Sequence, residues 1–232
     1  AEEDDSRTAG YRSMTEFVLD SVYAEGPPRV FRAREVSADR WVLVTVWSKQ
    51  LLSETPTLTA DLSACLSIAK KLHHPNVLSM INWGETEGSP YVVSEHPASA
   101  SLSDAAIHSG SSVAIASITV QCLHALRAAV DTGYLPAELH ASDVTVHPSG
   151  VVKVRLSPFD RIGRSLPPIE ECLRGCIQSI AAELLKSQVE DKLREVLESM
   201  CGCGFKKPHD VEALLRSQPL RDFGYLEPRE AK

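Results

Sequence analysis

The sequence lacks any excess of basic residues: 24 Lys and Arg face 31 Asp and Glu, a net charge of -7 with an isoelectric point near 5.6. That balance argues against general electrostatic binding to nucleic acid or anionic lipid. A long apolar run is also missing. The longest uncharged stretch, Ala105 to Leu126, is interrupted by His108, Ser109, Gly110, Ser111, Ser112, Gln121 and His124, and does not read as a bilayer span. Six cysteines in 232 residues are too few for a disulfide scaffold. No internal repeat, low-complexity tract or signal peptide is visible, and no Asn-x-Ser/Thr sequon occurs. The missing sequon and modest cysteine count lean toward an intracellular, cytoplasmic setting. A chain that starts at Ala1 is expected to be an excised or processed piece, which leaves targeting open.

With 43% hydrophobic and 24% charged residues, the composition is globular, and the length allows one substantial core or two small lobes. Cys65, Cys122 and Cys172 lie in helix-like apolar stretches and read as buried thiols. Cys172, Cys176, Cys201 and Cys203 could together form a zinc site, but their spacing matches no common ribbon or finger.

Residues 1–14 read as a flexible acidic leader. Strand patterns follow from Phe17 to Val22 and at Val30–Ala33. The β-branched and aromatic run Trp41–Trp47 is the strongest, with both tryptophans expected on one face. Gly26-Pro27-Pro28 breaks the first pair. Leu58, Leu62, Cys65, Leu66, Ala69 and Leu72 form a helical stripe that ends at His74-Pro75-Asn76. Further strands are predicted over Val77–Trp83 and Tyr91–Glu95, with Glu87 to Pro90 as their turn. Beyond them come an Ala- and Leu-rich helix over Val113–Val130 and two short strands, Asp143–Val146 and Val151–Leu156, around His147-Pro148-Ser149-Gly150. Helices are predicted over Pro168–Lys186, Val189–Met200 and His209–Ser217.

This order, with three short strings, resembles a protein kinase domain. Leu72-His73-His74-Pro75-Asn76-Val77-Leu78 is similar to the segment after the family's regulatory helix. Tyr91-Val92-Val93-Ser94-Glu95 is similar to the strand leading into the hinge, with Ser94 at the gatekeeper place. Glu138 to Val146, followed by Gly150-Val151-Val152-Lys153-Val154, is similar to the catalytic loop and the strand after it. The resemblance implies an α+β, compact bilobal fold. A β-rich N-lobe with one regulatory helix would span 15–96, a shortened, mainly helical C-lobe 97–222, and a tail 223–232.

The resemblance also assigns working positions, and most are altered. Phosphoryl transfer needs a lysine on the phosphates, a glutamate to hold it, two metal ligands and a base. Thr45 stands at the lysine place and Cys65 at the glutamate place, so the ion pair is lost on both sides together. The glycine-rich loop keeps one displaced glycine, Gly26, while Pro27 and Pro28 remove two N–H donors and Glu25 adds negative charge. Pro136-Ala137-Glu138 replaces the catalytic triplet, His140 the loop lysine and Asp143 the asparagine. Thirteen positions after residue 143, Leu156-Ser157-Pro158 stands for the metal-binding triplet, and leucine cannot hold magnesium. Asp222-Phe223-Gly224 lies beyond the last predicted helix and follows no matching strand. Little chain separates Pro158 from the helix predicted at Pro168, which leaves no room for an activation segment. Glu170 or Glu171 falls near the central helix's usual aspartate.

The expectation is a degenerate pseudokinase that is not an enzyme. It would work as a protein-binding scaffold or allosteric module, without ATP binding, metal or other cofactor. Its nucleotide pocket would be occluded by Phe31, Thr45, Cys65, Leu156 and Pro158. A protein partner is expected, nucleic acid and a transmembrane segment are not. The alternative is an atypical nucleotide enzyme with residual phosphotransfer through Glu138 and Asp143, in which Lys49 or Lys153 replaces the missing cation. A zinc-stabilised scaffold stands third. On the bland reading Glu138 is a solvated loop residue, Asp143 caps a turn, and His73, His74, His140 and His147 are turn and loop residues.

Overall fold

A computed structural model describes residues 16–26, 28–97, 100–104, 107, 110–163, 165–202, 208–217 and 220. The acidic leader, Pro27, Cys203, Asp222-Phe223-Gly224 and the tail fall outside these. The chain divides into two compact units that do not follow chain order. One comprises Ala1–Ser63 and Ser79–Ala98, the other Ala64–Leu78 and Ser99–Lys232.

The first unit is built on a five-stranded antiparallel sheet of order β1-β2-β3-β5-β4: β1 Phe17–Ala24, β2 Arg29–Glu35, β3 Arg40–Val46, β4 Met80–Thr86 and β5 Ser89–Glu95. Phe17, Phe31, Ala33, Val42, Val44, Val46 and Val93 form its buried cluster. The expectation that Trp41 and Trp47 share a face fails. The strand ends at Val46, Trp47 N–H donates to Pro90 O at 3.0 Å, and the Trp47 side chain is buried. Trp41 stays 43% exposed, with the Arg32 guanidinium 4.6 Å from its ring centroid. A short helix missing from the sequence reading, α1 (Lys49–Glu54), starts where Ser48 Oγ accepts the Leu51 N–H at 3.2 Å.

Helix α2 (Leu58–Ala69) runs across the division. After it, the strand expected over Val77–Trp83 splits. Only Met80 onward joins the sheet, while Val77 makes a parallel bridge to Val154 in the second unit. Two backbone bonds hold that bridge, Val154 N–H to Asn76 O at 2.8 Å and Leu78 N–H to Val154 O at 3.0 Å.

The second unit contains a small antiparallel sheet, β6 Ala100–Ser101, β7 Val144–Val146 and β8 Val152–Val154. Its helices are α3 Ser112–Asp131, α4 Ile169–Leu184, α5 Asp191–Gly202 and α6 Pro208–Leu215. By length and composition α3 could cross a membrane. Its apolarity has another use: Ile115, Ile118, Val120, Cys122, Leu123, Ala125, Leu126 and Ala129 are buried in the core, so no clear membrane span results. Burial pushes the Cys122 thiol up to about 12, which makes it an inert packing group.

A polar network sits inside this core. Asn76, 1% exposed, donates through Nδ2 to Gln121 Oε1 and to Val152 O, both at 2.8 Å. Gln121 Oε1 also accepts the Val152 N–H at 2.8 Å, and its Nε2 donates to Gly150 O at 2.9 Å and Ser117 Oγ at 3.1 Å. Helix α3, the turn after α2 and β8 are thus joined by satisfied buried amides. Beside the network, the His74 ring lies 6.3 Å from that of His124 with an 18° interplanar angle. His74 Nδ1 accepts the Asn76 N–H at 3.1 Å. Burial, helped by the charge of His124, holds the His74 pKa below its usual 6.5.

Helix α4 meets the segment 136–138 at unusually short range. A Cβ on Gly175 would lie 2.1 Å from Ala137 O, so only glycine allows this contact. Cys176 Sγ donates to Pro136 O at 3.3 Å.

Asn76→Ala should lower the unfolding free energy by about 2–3 kcal/mol, since it strands the Val152 carbonyl and leaves Gln121 half-paired; urea denaturation measures this. Gly175→Ala should destabilise by roughly 1–3 kcal/mol despite the better helix propensity of alanine. Gly202→Ala, with nothing within 4 Å of the new Cβ, should be neutral or mildly stabilising. A His74 pKa lowered by folding means that the unfolded chain binds the proton first. That contribution to stability is complete above pH 6.5 and is lost as pH falls below it toward the folded-state value. Melting temperatures taken from pH 7.5 down to pH 5 should fall less steeply in His74→Asn than in the wild type.

Candidate functional site

The residues assigned by the resemblance fall in both units, and each unit is built separately. In the first, Thr45 is a half-buried residue of β3, paired with Val30 on one side and Val92 on the other. Ser94 lies in β5 opposite Leu43 and Met80. Gly26 is exposed at φ 138°, with nothing within 4 Å of a built Cβ. It serves the turn between β1 and β2, where side-chain residues are strained. Phe31 is fully buried in the sheet's own cluster. Lys49 is an exposed residue of α1.

The second unit brings several assigned positions together around loop 136–143 and the segment after β8. Asp143 ends a short 3-10 turn, Ala141–Asp143, and is 7% exposed. Its Oδ2 accepts the His140 backbone N–H at 3.0 Å, the turn-capping role expected on the bland reading. Its Oδ1 accepts from Arg155 Nε at 3.0 Å and forms an ion pair with Arg155 Nη2 at 2.8 Å. Arg155 Nη1 reaches on to Asp160 Oδ2 at 2.6 Å. Burial pulls the Arg155 guanidinium down, but Asp160 and Asp143 outweigh it, so its proton is held more firmly than usual. Sequence reasoning passed over Arg155. The available signal was an arginine one place before Leu156, with an acid, Asp143, twelve residues earlier across the hairpin.

Leu156 and Pro158 are buried, and Ser157 is partly so. Ser157 O accepts from Tyr134 Oη at 2.7 Å, and Pro158 O from Cys65 Sγ at 3.2 Å. The 3-10 turn Pro158–Arg161 is therefore tied to α2, to the chain after α3 and, through Arg155 and Asp160, to the end of β8. Burial first, then the charge of Asp160, raises the Tyr134 hydroxyl pKa, so it remains a donor. Of the expected pocket fillers, Cys65 and Pro158 meet one another directly, and Leu156 joins the second unit's core.

Glu138 and His140 are exposed. Glu170 and Glu171 are exposed residues of the first turn of α4, and the contacts from that helix to 136–138 come instead from Gly175 and Cys176. A thiol hydrogen bond and a close backbone approach at a glycine thus join this helix to the loop. Burial and neighbouring thiol and carboxylate groups raise the Cys176 pKa. Cys172 Sγ donates to Pro167 O at 3.5 Å, and Cys201 lies by Gln178 O. Among the described residues no three His, Cys, Asp or Glu side chains are grouped to hold a metal ion, and Cys203 falls outside them.

No protein-family model matches the chain. Over 148 residues it is 29% identical to the serine/threonine-protein kinase pkn3 of Myxococcus xanthus, a match covering 61% of this chain and 26% of that protein. The match thus spans about a quarter of its relative. It supports a kinase-like relationship, and the mixed α+β architecture with antiparallel sheets is compatible with a kinase-like fold. It also corrects one expectation. The altered motif positions led to the reading that the chain is not an enzyme, whereas the relative is a named protein kinase and points toward the enzyme side. Substitutions at single positions describe chemistry one group at a time; similarity over 148 residues weighs the whole segment.

Proposed function

We propose that the chain is a kinase-like, pseudokinase-type domain and that its main work is regulatory, through binding a protein partner. The bilobal arrangement implied by the resemblance belongs to this reading, as does a nucleotide pocket narrowed by the chain's own side chains. The observation that carries it is the state of the segment after β8. Where a metal ligand would stand, Leu156 is buried, and Ser157, Pro158 and Asp160 after it are held by Tyr134, Cys65 and Arg155 respectively. A segment anchored from several elements supports a fixed surface better than a cycle of metal and nucleotide exchange.

A second reading has its own support in the named kinase relative and in Glu138, an exposed carboxylate at the base position. In it a substrate hydroxyl oxygen attacks the γ-phosphorus of ATP. The bond from that phosphorus to the β-γ bridging oxygen breaks, ADP leaves, and Glu138 takes the hydroxyl proton.

One experiment separates the two: thermal melts of the chain with millimolar ATP, with and without magnesium or manganese, alongside transfer of labelled γ-phosphate to the chain or a generic substrate. The regulatory reading expects no nucleotide-dependent shift. Nucleotide at about 100 times its dissociation constant would stabilise by about 2.7 kcal/mol, a rise of roughly 5–10 °C for a chain of this size. Such a rise, with label transfer lost in Glu138→Gln, establishes the second reading and overturns the first.

A further inference from the structure

Asp143 is an almost buried carboxylate, and such a group requires a cation or several donors. It has one backbone donor, from His140, and one cation, from Arg155. The cation's place is set by the main chain, because the Arg155 backbone N–H donates to Asp143 O at 2.7 Å. The guanidinium spans the gap from Asp143 Oδ1 to Asp160 Oδ2, at 2.8 Å and 2.6 Å. Two carboxylates from different turns thus converge on one positive centre, the arrangement with which proteins also hold hard divalent ions.

Leu156, next in the chain, is turned into the core, and its side chain offers no oxygen. Arg155 therefore answers the charge of Asp143 in the way a bound ion would, but as a permanent part of the chain. We infer that Arg155 is the resident cation of this loop: it occupies the position a divalent ion would need on Asp143 and keeps that carboxylate closed to metal. This role is independent of whether the protein binds a partner, and it leaves Asp143 unavailable as a metal ligand for phosphate transfer. It also differs from a plain surface ion pair. Asp143 is the buried member, and although the Arg155 side chain is 42% exposed, its fork is committed to both acids.

The test uses the whole chain and manganese(II) alone, read by loss of the free-ion EPR signal and by thermal melts in metal-free and manganese buffers. Wild type should take up no more manganese than Asp143→Asn. Arg155→Gln should melt roughly 4–8 °C lower in metal-free buffer. Manganese should restore at least half of that loss, and none of it in Arg155→Gln combined with Asp143→Asn. Should Arg155→Gln not fold, Arg155→Lys serves, since one ammonium cannot span both acids as the planar fork does; it should take up manganese that wild type refuses. Wild-type uptake that Asp143→Asn abolishes would overturn the inference, because the ion would then displace Arg155. Lack of manganese uptake by both Arg155 variants would overturn it as well, leaving Arg155 a structural pair only.

Discussion

A carboxylate removed from water has to be answered within the protein, and the chain from 140 to 143 and from 155 to 160 is arranged around the answer given to Asp143. The same residue closes the turn at 141–143, leads into β7, and faces β8 through its carbonyl and carboxylate together. Arg155 is at once the last residue before the buried Leu156 and the tie to Asp160. Satisfying one charge therefore fixes the path of the chain on both sides of the small sheet, and the segment 157–161 inherits its position from it. Coulombic attraction near a low-dielectric interior does this well because both partners are pinned by backbone hydrogen bonds.

The elements were largely legible because they rest on local periodicity. The stripe Leu58–Ala69, the β-branched run at 41–46 and the helix at 112–131 each announce themselves by spacing and composition. What failed were features decided by partners distant in sequence. Val77 reads as the start of a strand, yet its backbone partner is Val154, far along the chain. Trp41 and Trp47 share parity, but the strand ends between them.

At the site, the resemblance points to the loop 136–143 and to Leu156-Ser157-Pro158, but the sequence does not say what holds them. Cys176 and Gly175 meet the segment 136–138, and Arg155 meets Asp143 across a hairpin. None of these leaves a local pattern, since each contact depends on three-dimensional closure. Asn76 shows the opposite case. It was legible as part of a turn, while its larger role, bridging Gln121 and Val152 inside the core, becomes visible only when α3 is packed beside it.

Helix α3 has one more consequence. It is twenty residues long, and eleven of them, mostly apolar, are buried in the fold. When the second unit opens, the apolar side chains of this one helix are bared together and invite association. Denaturation then competes with association, and the chain's durability becomes a matter of how rarely this helix is bared rather than of equilibrium stability alone.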